Sequence, residues 1–262
     1  MLKNKKFYII IVLLLLCSFS AIKIINKKEI PVLNYHEINN DKHSPLAVTT
    51  DEFTAQMKYL KEHNYNSITP DQLLDYMQKG KPLPDNPVLI TFDDGYVDNY
   101  TNAYPVLKQY GLNATIFLIS HYIGWQGYLT WPEINEMQNN NITFEGHTYD
   151  HPQLSKVKDD NELKRQLHDS KIDLQNHLGY QVDYLAYPYG DYDQHVISLV
   201  KEYGYRAAFT VNLGDDAASD DVYTLNRVPV FQIRKHTFFK FWLNLHFPYL
   251  MRAKQLLHRP IF

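Results

Sequence analysis

The chain has almost no cysteine. Its one cysteine, Cys17, sits in an apolar N-terminal run. That excludes a disulfide framework for the rest of the molecule and leaves stability to the core. An excess of basic charge is also lacking: 26 Lys and Arg against 29 Asp and Glu leave a formal −3, which argues against nucleic acid as a partner. No internal repeat is visible. The only long hydrophobic run, Phe7 to Ala21, is slightly short for a full membrane span. Acidic residues are missing altogether from Val222 to Phe262.

What is present fits one globular domain. The 262 residues are enough for a full core, and 14% are aromatic, with 21 Tyr and 3 Trp. Val88-Leu89-Ile90 reads as a buried strand, and Thr91-Phe92-Asp93-Asp94-Gly95-Tyr96 follows it. Two adjacent carboxylates at a strand end need partners, or their pKa values rise. An Asp-Gly turn with two solvated acids is one reading. A metal on one Asp, with the other left as a base, is the alternative. Phe144-Glu145-Gly146-His147-Thr148-Tyr149-Asp150-His151 follows a second apolar run, Ile142 to Phe144. Four-residue spacing turns two imidazoles toward one point on a helix or in a tight loop; two unrelated surface histidines have the same spacing. Two imidazoles and a carboxylate form a zinc-type set with an open position. Ligands gathered at several strand ends are the plan of a βα-barrel enzyme. A third stretch, Leu185-Ala186-Tyr187-Pro188-Tyr189-Gly190, is a Pro-Gly turn with packing tyrosines, or a frame of backbone N–H groups suited to an oxyanion.

In this order the three motifs resemble the NodB-homology polysaccharide deacetylases, carbohydrate esterase family four. The resemblance spans roughly Pro31 to Val230, with Pro31-Val32-Leu33-Asn34-Tyr35-His36 and Asn113 to Leu118 as further matching stretches. It implies Asp93 as catalytic base, and Asp94, His147 and His151 as ligands of a divalent metal, most often Zn2+, with Ni2+ or Co2+ as alternatives. It implies an oxyanion-hole N–H from Tyr189. The opening Leu-Asn-Tyr-His and the Ala-Tyr-Pro-Tyr-Gly motif are similar to the IcaB-type enzymes. These act on poly-β-1,6-N-acetylglucosamine of biofilms. The His-x-x-x-His spacing is that of peptidoglycan and chitin deacetylases. Ala186 stands where the family carries the arginine that orients the base, so that arginine is expected to be missing. No Asp-x-x-Asp-Trp motif is found, and the only literal Leu-x-His is Leu256-Leu257-His258. His36, His236 and His246 are rival active-site histidines. His36, Trp131 and Tyr187 are candidate substrate contacts, and Trp125, Tyr128 and Trp131 candidate walls of a sugar groove.

The expected function is metal-dependent N-deacetylation, with release of acetate, of an extracellular N-acetylglucosamine polysaccharide, which by the resemblance is the biofilm polymer poly-β-1,6-N-acetylglucosamine. Alternatives are a peptidoglycan or chitooligosaccharide deacetylase, an O-acetyl (xylan-type) esterase and an inactive carbohydrate-binding relative. Alternating strands and helices predict α/β architecture, and the resemblance specifies a distorted (β/α) barrel over residues 29–232. Lys3, Lys5 and Lys6 before the apolar run make residues 1–28 a signal peptide or membrane anchor. The chain is therefore expected outside the cytoplasm, secreted or on the membrane or wall, and as a monomer. Its Lys, Asn and Ile content hints at a Gram-positive bacterium. Residues 233–262 form a basic, aromatic tail that either lies on an anionic membrane or wall surface or packs as a final helix.

Overall fold

The computed structural model describes residues 30–41, 43–213, 221–230 and 237–247. The N-terminal apolar run with Cys17, His236 and the Leu256-Leu257-His258 match lie outside these residues. Seven parallel strands close on themselves: β1 (Val32–Tyr35), β2 (Pro87–Phe92), β3 (Ala114–Leu118), β4 (Ile142–Gly146), β5 (Tyr184–Ala186), β6 (Ala207–Leu213) and β7 (Leu225–Pro229). Their order is β1-β7-β6-β5-β4-β3-β2, and β2 pairs back onto β1 from Val32↔Leu89 to Tyr35↔Phe92. This is the expected (β/α) barrel. Strands buried on both faces read as continuous apolar runs, and all six residues of β2 and all five of β3 are buried.

Helices α1 (Thr50–Glu62) and α2 (Pro70–Lys79) both lie between β1 and β2. The α2 boundaries follow from local chemistry. Thr69 and Gln72 form a capping box, Pro70 opens the first turn, and Gly80 closes the helix at φ 65°. Then come α3 (Tyr104–Tyr110), α4 (Trp131–Gln138), α5 (Asp160–Lys164), α6 (Ser170–Leu178), α7 (Gln194–Glu202) and α8 (Thr237–His246). The helical stretch from Asp160 to Leu178 is not uniform: a π turn, Arg165–Asp169, joins α5 to α6. Within the basic tail, α8 buries Phe241 and Leu245, and Phe238 and Phe241 meet Tyr59 of α1 edge-on at 5.7 and 6.3 Å.

The seam between β4 and β5 has one ladder pair, Gly146↔Leu185. Side chains satisfy neighbouring backbone groups there. The Glu145 carboxylate accepts from the Asp183 and Tyr184 N–H groups at 2.9 Å each. The Tyr180 hydroxyl accepts from Phe144 N–H and donates to Phe144 O. This stitching fixes the two strands whose C-terminal ends carry His147 and the Tyr187–Gly190 turn.

Candidate active site

Asp93, Asp94, His147, His151 and Tyr189 follow the C-terminal ends of β2, β4 and β5, where such barrels place their chemistry. After β2, Asp93 N–H donates to Tyr35 O at 3.0 Å, and the chain turns at Asp94. Among the described residues, seven that are not glycine have positive φ. Three are asparagines, which tolerate it; the others are Asp94, Thr148, His151 and Tyr189. A non-glycine residue held there costs of order 1–3 kcal/mol, and surrounding structure must impose it. All four of these lie in the motifs expected to carry the chemistry.

Asp94 Oδ1 lies 3.3 Å from His147 Nε2 and 3.4 Å from His151 Nε2. The donor atoms of the three residues fall within 4.8 Å of one another. His147 Nδ1 bonds to Ala186 O at 2.7 Å, which leaves its Nε2 facing Asp94. Asp94 Oδ1 is buried without a hydrogen-bond partner. Such an orphan oxygen, beside two imidazole nitrogens, fits a divalent cation. Burial alone would raise the Asp94 pKa, but the neighbouring His147, then His36 and His151, outweigh it and hold the carboxyl below its usual range. Burial and then His147 push His151 down to about 4. The histidines sit in a tight loop. Thr148 Oγ1 accepts from His151 N–H, and buried Gln166 accepts from both Tyr149 N–H and Asp150 N–H.

The orienting arginine expected to be missing is present, supplied from elsewhere. Arg227 of β7 donates from both terminal nitrogens to the two oxygens of Asp93, at 2.7 and 2.6 Å, and its Nε donates to Thr210 O. Both residues are buried. Burial alone would raise the Asp93 pKa; the Arg227 guanidinium, then His147, outweigh it and keep the carboxyl far below the ordinary range. In the sequence alone, Arg227 is one of several cations in the acid-free stretch from Val222 to Phe262. A usable signal is there: a lone Arg between Leu225 and Val228-Pro229-Val230, where the β/α rhythm lacks a closing strand. His36, at the end of β1, places Nε2 3.8 Å from Asp93 Oδ2. His246 is in α8, bonded to Trp242 O and in contact with Tyr59, away from these carboxylates.

A pocket of about 370 Å³ opens over the cluster, lined among others by Leu46, Asp94, Tyr96, Asp150, His151 and Tyr189. Tyr189 sits in a turn that only glycine permits on its C-terminal side, because a Cβ on Gly190 would meet Val211 Cγ2 at 2.5 Å. Its own ring packs on His151 at 4.6 Å. Two expected substrate contacts lie elsewhere. Tyr187 is fully buried and donates its hydroxyl to Tyr223 O, so the motif presents Tyr189 instead. Trp131 stacks on His177 at 4.3 Å, between α4 and α6, outside the pocket lining.

Residues 80–208 match the family model described as polysaccharide deacetylase. The poly-β-1,6-N-acetyl-D-glucosamine N-deacetylase of Staphylococcus epidermidis is 31% identical over 240 residues, covering 80% of this chain and 82% of that one. The Streptococcus pyogenes deacetylase PplD, solved with acetate, superposes with a TM-score of 0.74 at 28% identity, over 78% of this chain and 93% of that one. IcaB from Ammonifex degensii gives 0.70 at 26% identity, over 81% and 95%.

Proposed function

The chain belongs to the polysaccharide deacetylase family and hydrolyses amide bonds, and on that premise we propose that it removes N-acetyl groups from poly-β-1,6-N-acetylglucosamine outside the cell. The observation that carries the chemistry is the pairing of two differently dressed carboxylates. Asp93 is locked to Arg227, and Asp94 faces two imidazoles under an open pocket. The linkage rests on the similarity to the staphylococcal enzyme.

Asp94, His147 and His151 would hold a divalent cation, which we take as Zn2+. When bound, it supplies Lewis acidity toward an acetamide carbonyl and acidifies water, as a carboxylate as weakly basic as Asp93 requires. Asp93 takes the proton of the attacking water; Arg227 holds its two oxygens in place. The backbone N–H of Tyr189, at the pocket wall, donates to the oxyanion. His36, with Nε2 3.8 Å from Asp93 Oδ2, takes that proton on from Asp93 and passes it to the leaving nitrogen as the C–N bond breaks, and acetate departs. The apolar N-terminal segment carries the catalytic domain to the cell surface.

The test is acetate release, with added zinc, from β-1,6- and β-1,4-linked N-acetylglucosamine oligomers, peptidoglycan and acetylated xylan. Release from the β-1,6 oligomers in preference to the rest is expected. Preference for β-1,4 polymers or for acetyl esters would reassign the substrate.

A further inference from the structure

Six rings run in continuous contact along one wall of the pocket and out of it. Tyr96 stacks on Tyr128 at 5.2 Å, Tyr128 meets Tyr122 at 5.0 Å, and Tyr122 stacks on Trp125 at 4.9 Å. Trp125 meets His121 at 5.0 Å, and His121 stacks on Tyr149 at 4.6 Å. Tyr96, Tyr122 and Tyr128 line the pocket. Trp125 lies beyond that lining and is 52% exposed. Amide hydrolysis at the carboxylates uses none of these rings.

The segment Ser120 to Leu129, which carries four of them, is fastened on both sides. Val97 N–H donates to Gly127 O, and Leu129 N–H to Gly95 O, each at 2.9 Å, which ties it to the turn after Asp94. Ser120 N–H donates to Thr148 O and His121 N–H to Tyr149 O, which ties it to the histidine loop. Gly124 N–H to Leu129 O and Tyr128 N–H to Trp125 O close it internally, with Gly124 and Gly127 at φ 86° and 91°. An indole held half in water by so many backbone bonds is poised for a ligand rather than for the core. A pyranose ring offers an apolar face of C–H groups and a polar rim. Flat aromatic faces match the first, and tyrosine hydroxyls and an imidazole match the second. Continuity with the acetamide pocket selects the glycan as occupant over a protein or a lipid.

We infer that Trp125, with Tyr122 and His121, is a platform for further sugars of the same polymer chain, so that the enzyme grips a run of N-acetylglucosamine units rather than one. This rests on the polysaccharide deacetylase function and extends it to chain length. The test compares the full zinc-loaded chain with its Trp125→Ala and Trp125→Phe variants, on the β-1,6 hexamer and the disaccharide. The wild type is expected to show a lower KM for the hexamer. Trp125→Ala should raise that KM roughly tenfold, the equivalent of about 1.4 kcal/mol, leave the disaccharide KM within about twofold, and be largely rescued by Phe. In EDTA, quenching of tryptophan fluorescence by the hexamer should be lost in the Ala variant. An unchanged hexamer KM in Trp125→Ala overturns the platform and leaves the deacetylase function standing. Absence of acetate release from every polymer overturns both. Loss of binding to anionic phospholipid vesicles, with the hexamer KM intact, would assign the surface to a membrane and also overturn the proposal.

Discussion

Arg227 and Asp93 form a two-pronged ion pair inside the barrel, at 2.7 and 2.6 Å, across 134 residues of sequence. The pair supplies an arginine that Ala186 does not. It arrives from β7 instead of from the end of β5, and nothing in the linear sequence joins the two positions. A buried pair of this kind is weak evidence for net stability, yet breaking it is costly because one charge is left alone.

That asymmetry gives the first prediction. Arg227→Met should destabilise the protein by about 3–5 kcal/mol at neutral pH, because Asp93 keeps its burial and loses its partner. The sign with pH follows. In the wild type the folded Asp93 pKa lies below the unfolded value of roughly 3.9. Its contribution is therefore complete above about pH 4 and lost as pH falls through the folded pKa. In the variant burial dominates, the folded pKa rises, and acidification relieves the penalty. Urea unfolding at several pH values should show the gap between the two proteins narrowing toward acid. A gap that stays constant with pH would rule out the ion pair as its source.

Asp93→Asn should cut acetate release by a factor of about 10²–10⁴, the usual span for a general base, with zinc stoichiometry unchanged because Asp94, His147 and His151 remain. Near-normal turnover would remove Asp93 from the role of base.

Most of the framework was legible because it is local. Six of the seven barrel strands announce themselves as apolar runs, and Thr69-Pro70, Gly80 and Gly179 mark helix ends by chemistry that needs no partner. Asp93-Asp94 and His147-x-x-x-His151 were legible as a candidate set because the two together, each directly after an apolar strand-like run, are far more specific than either alone. What failed depends on distant contacts. The stretch Leu225-Asn226-Arg227-Val228-Pro229 looks too polar for a core strand until Asp93 neutralises Arg227 from across the barrel. Trp131 sits in sequence beside the aromatic segment, but its place at the head of α4 turns it to His177. The π turn at Arg165–Asp169 breaks no periodicity that a reader of apolar spacing would notice.

Metal affinity should fall as pH falls, and sooner than a free imidazole predicts. Burial pulls the His147 pKa down, but Asp93 and then Asp94 outweigh it, so the metal-free group holds its proton to higher pH than an ordinary imidazole. A cation must displace that proton. His151, pushed down to about 4, is already neutral over the same range and adds nothing. Competition with a chromophoric chelator between about pH 8 and 6 should show the affinity dropping on acidification, with proton release visible by calorimetry in buffers of different ionisation enthalpy. Asp93→Asn removes the largest raising influence and should flatten the slope. A slope unchanged in that variant would exclude Asp93 as the electrostatic origin of the effect.

Gln166 is the residue on which the histidine loop hangs. It is fully buried, and the π turn carries it under the loop. Its oxygen accepts from Tyr149 N–H and Asp150 N–H at 3.1 and 3.2 Å, and its nitrogen donates to Asp150 Oδ1 and Glu162 Oε1 at 2.7 and 2.6 Å. Those bonds brace a loop whose Thr148 and His151 are both in the left-handed region. Gln166→Leu keeps the volume and removes all four, so the loop is free to relax and His151 leaves its position against Asp94. Support of a ligand at this remove is typically worth about 10–100-fold in metal affinity. Zinc titration against a chelator should show a loss of that size. Gln166→Glu separates bracing from packing: it fills the same space, keeps an acceptor for the two N–H groups, and places a negative charge beside Asp150 and Glu162. If bracing is the cause, the Glu variant's affinity relative to the wild type at the same pH should improve toward low pH, where Glu is protonated, and worsen as pH rises. If Leu and Glu bind zinc as the wild type does, the loop is held by Thr148 and the neighbouring backbone alone.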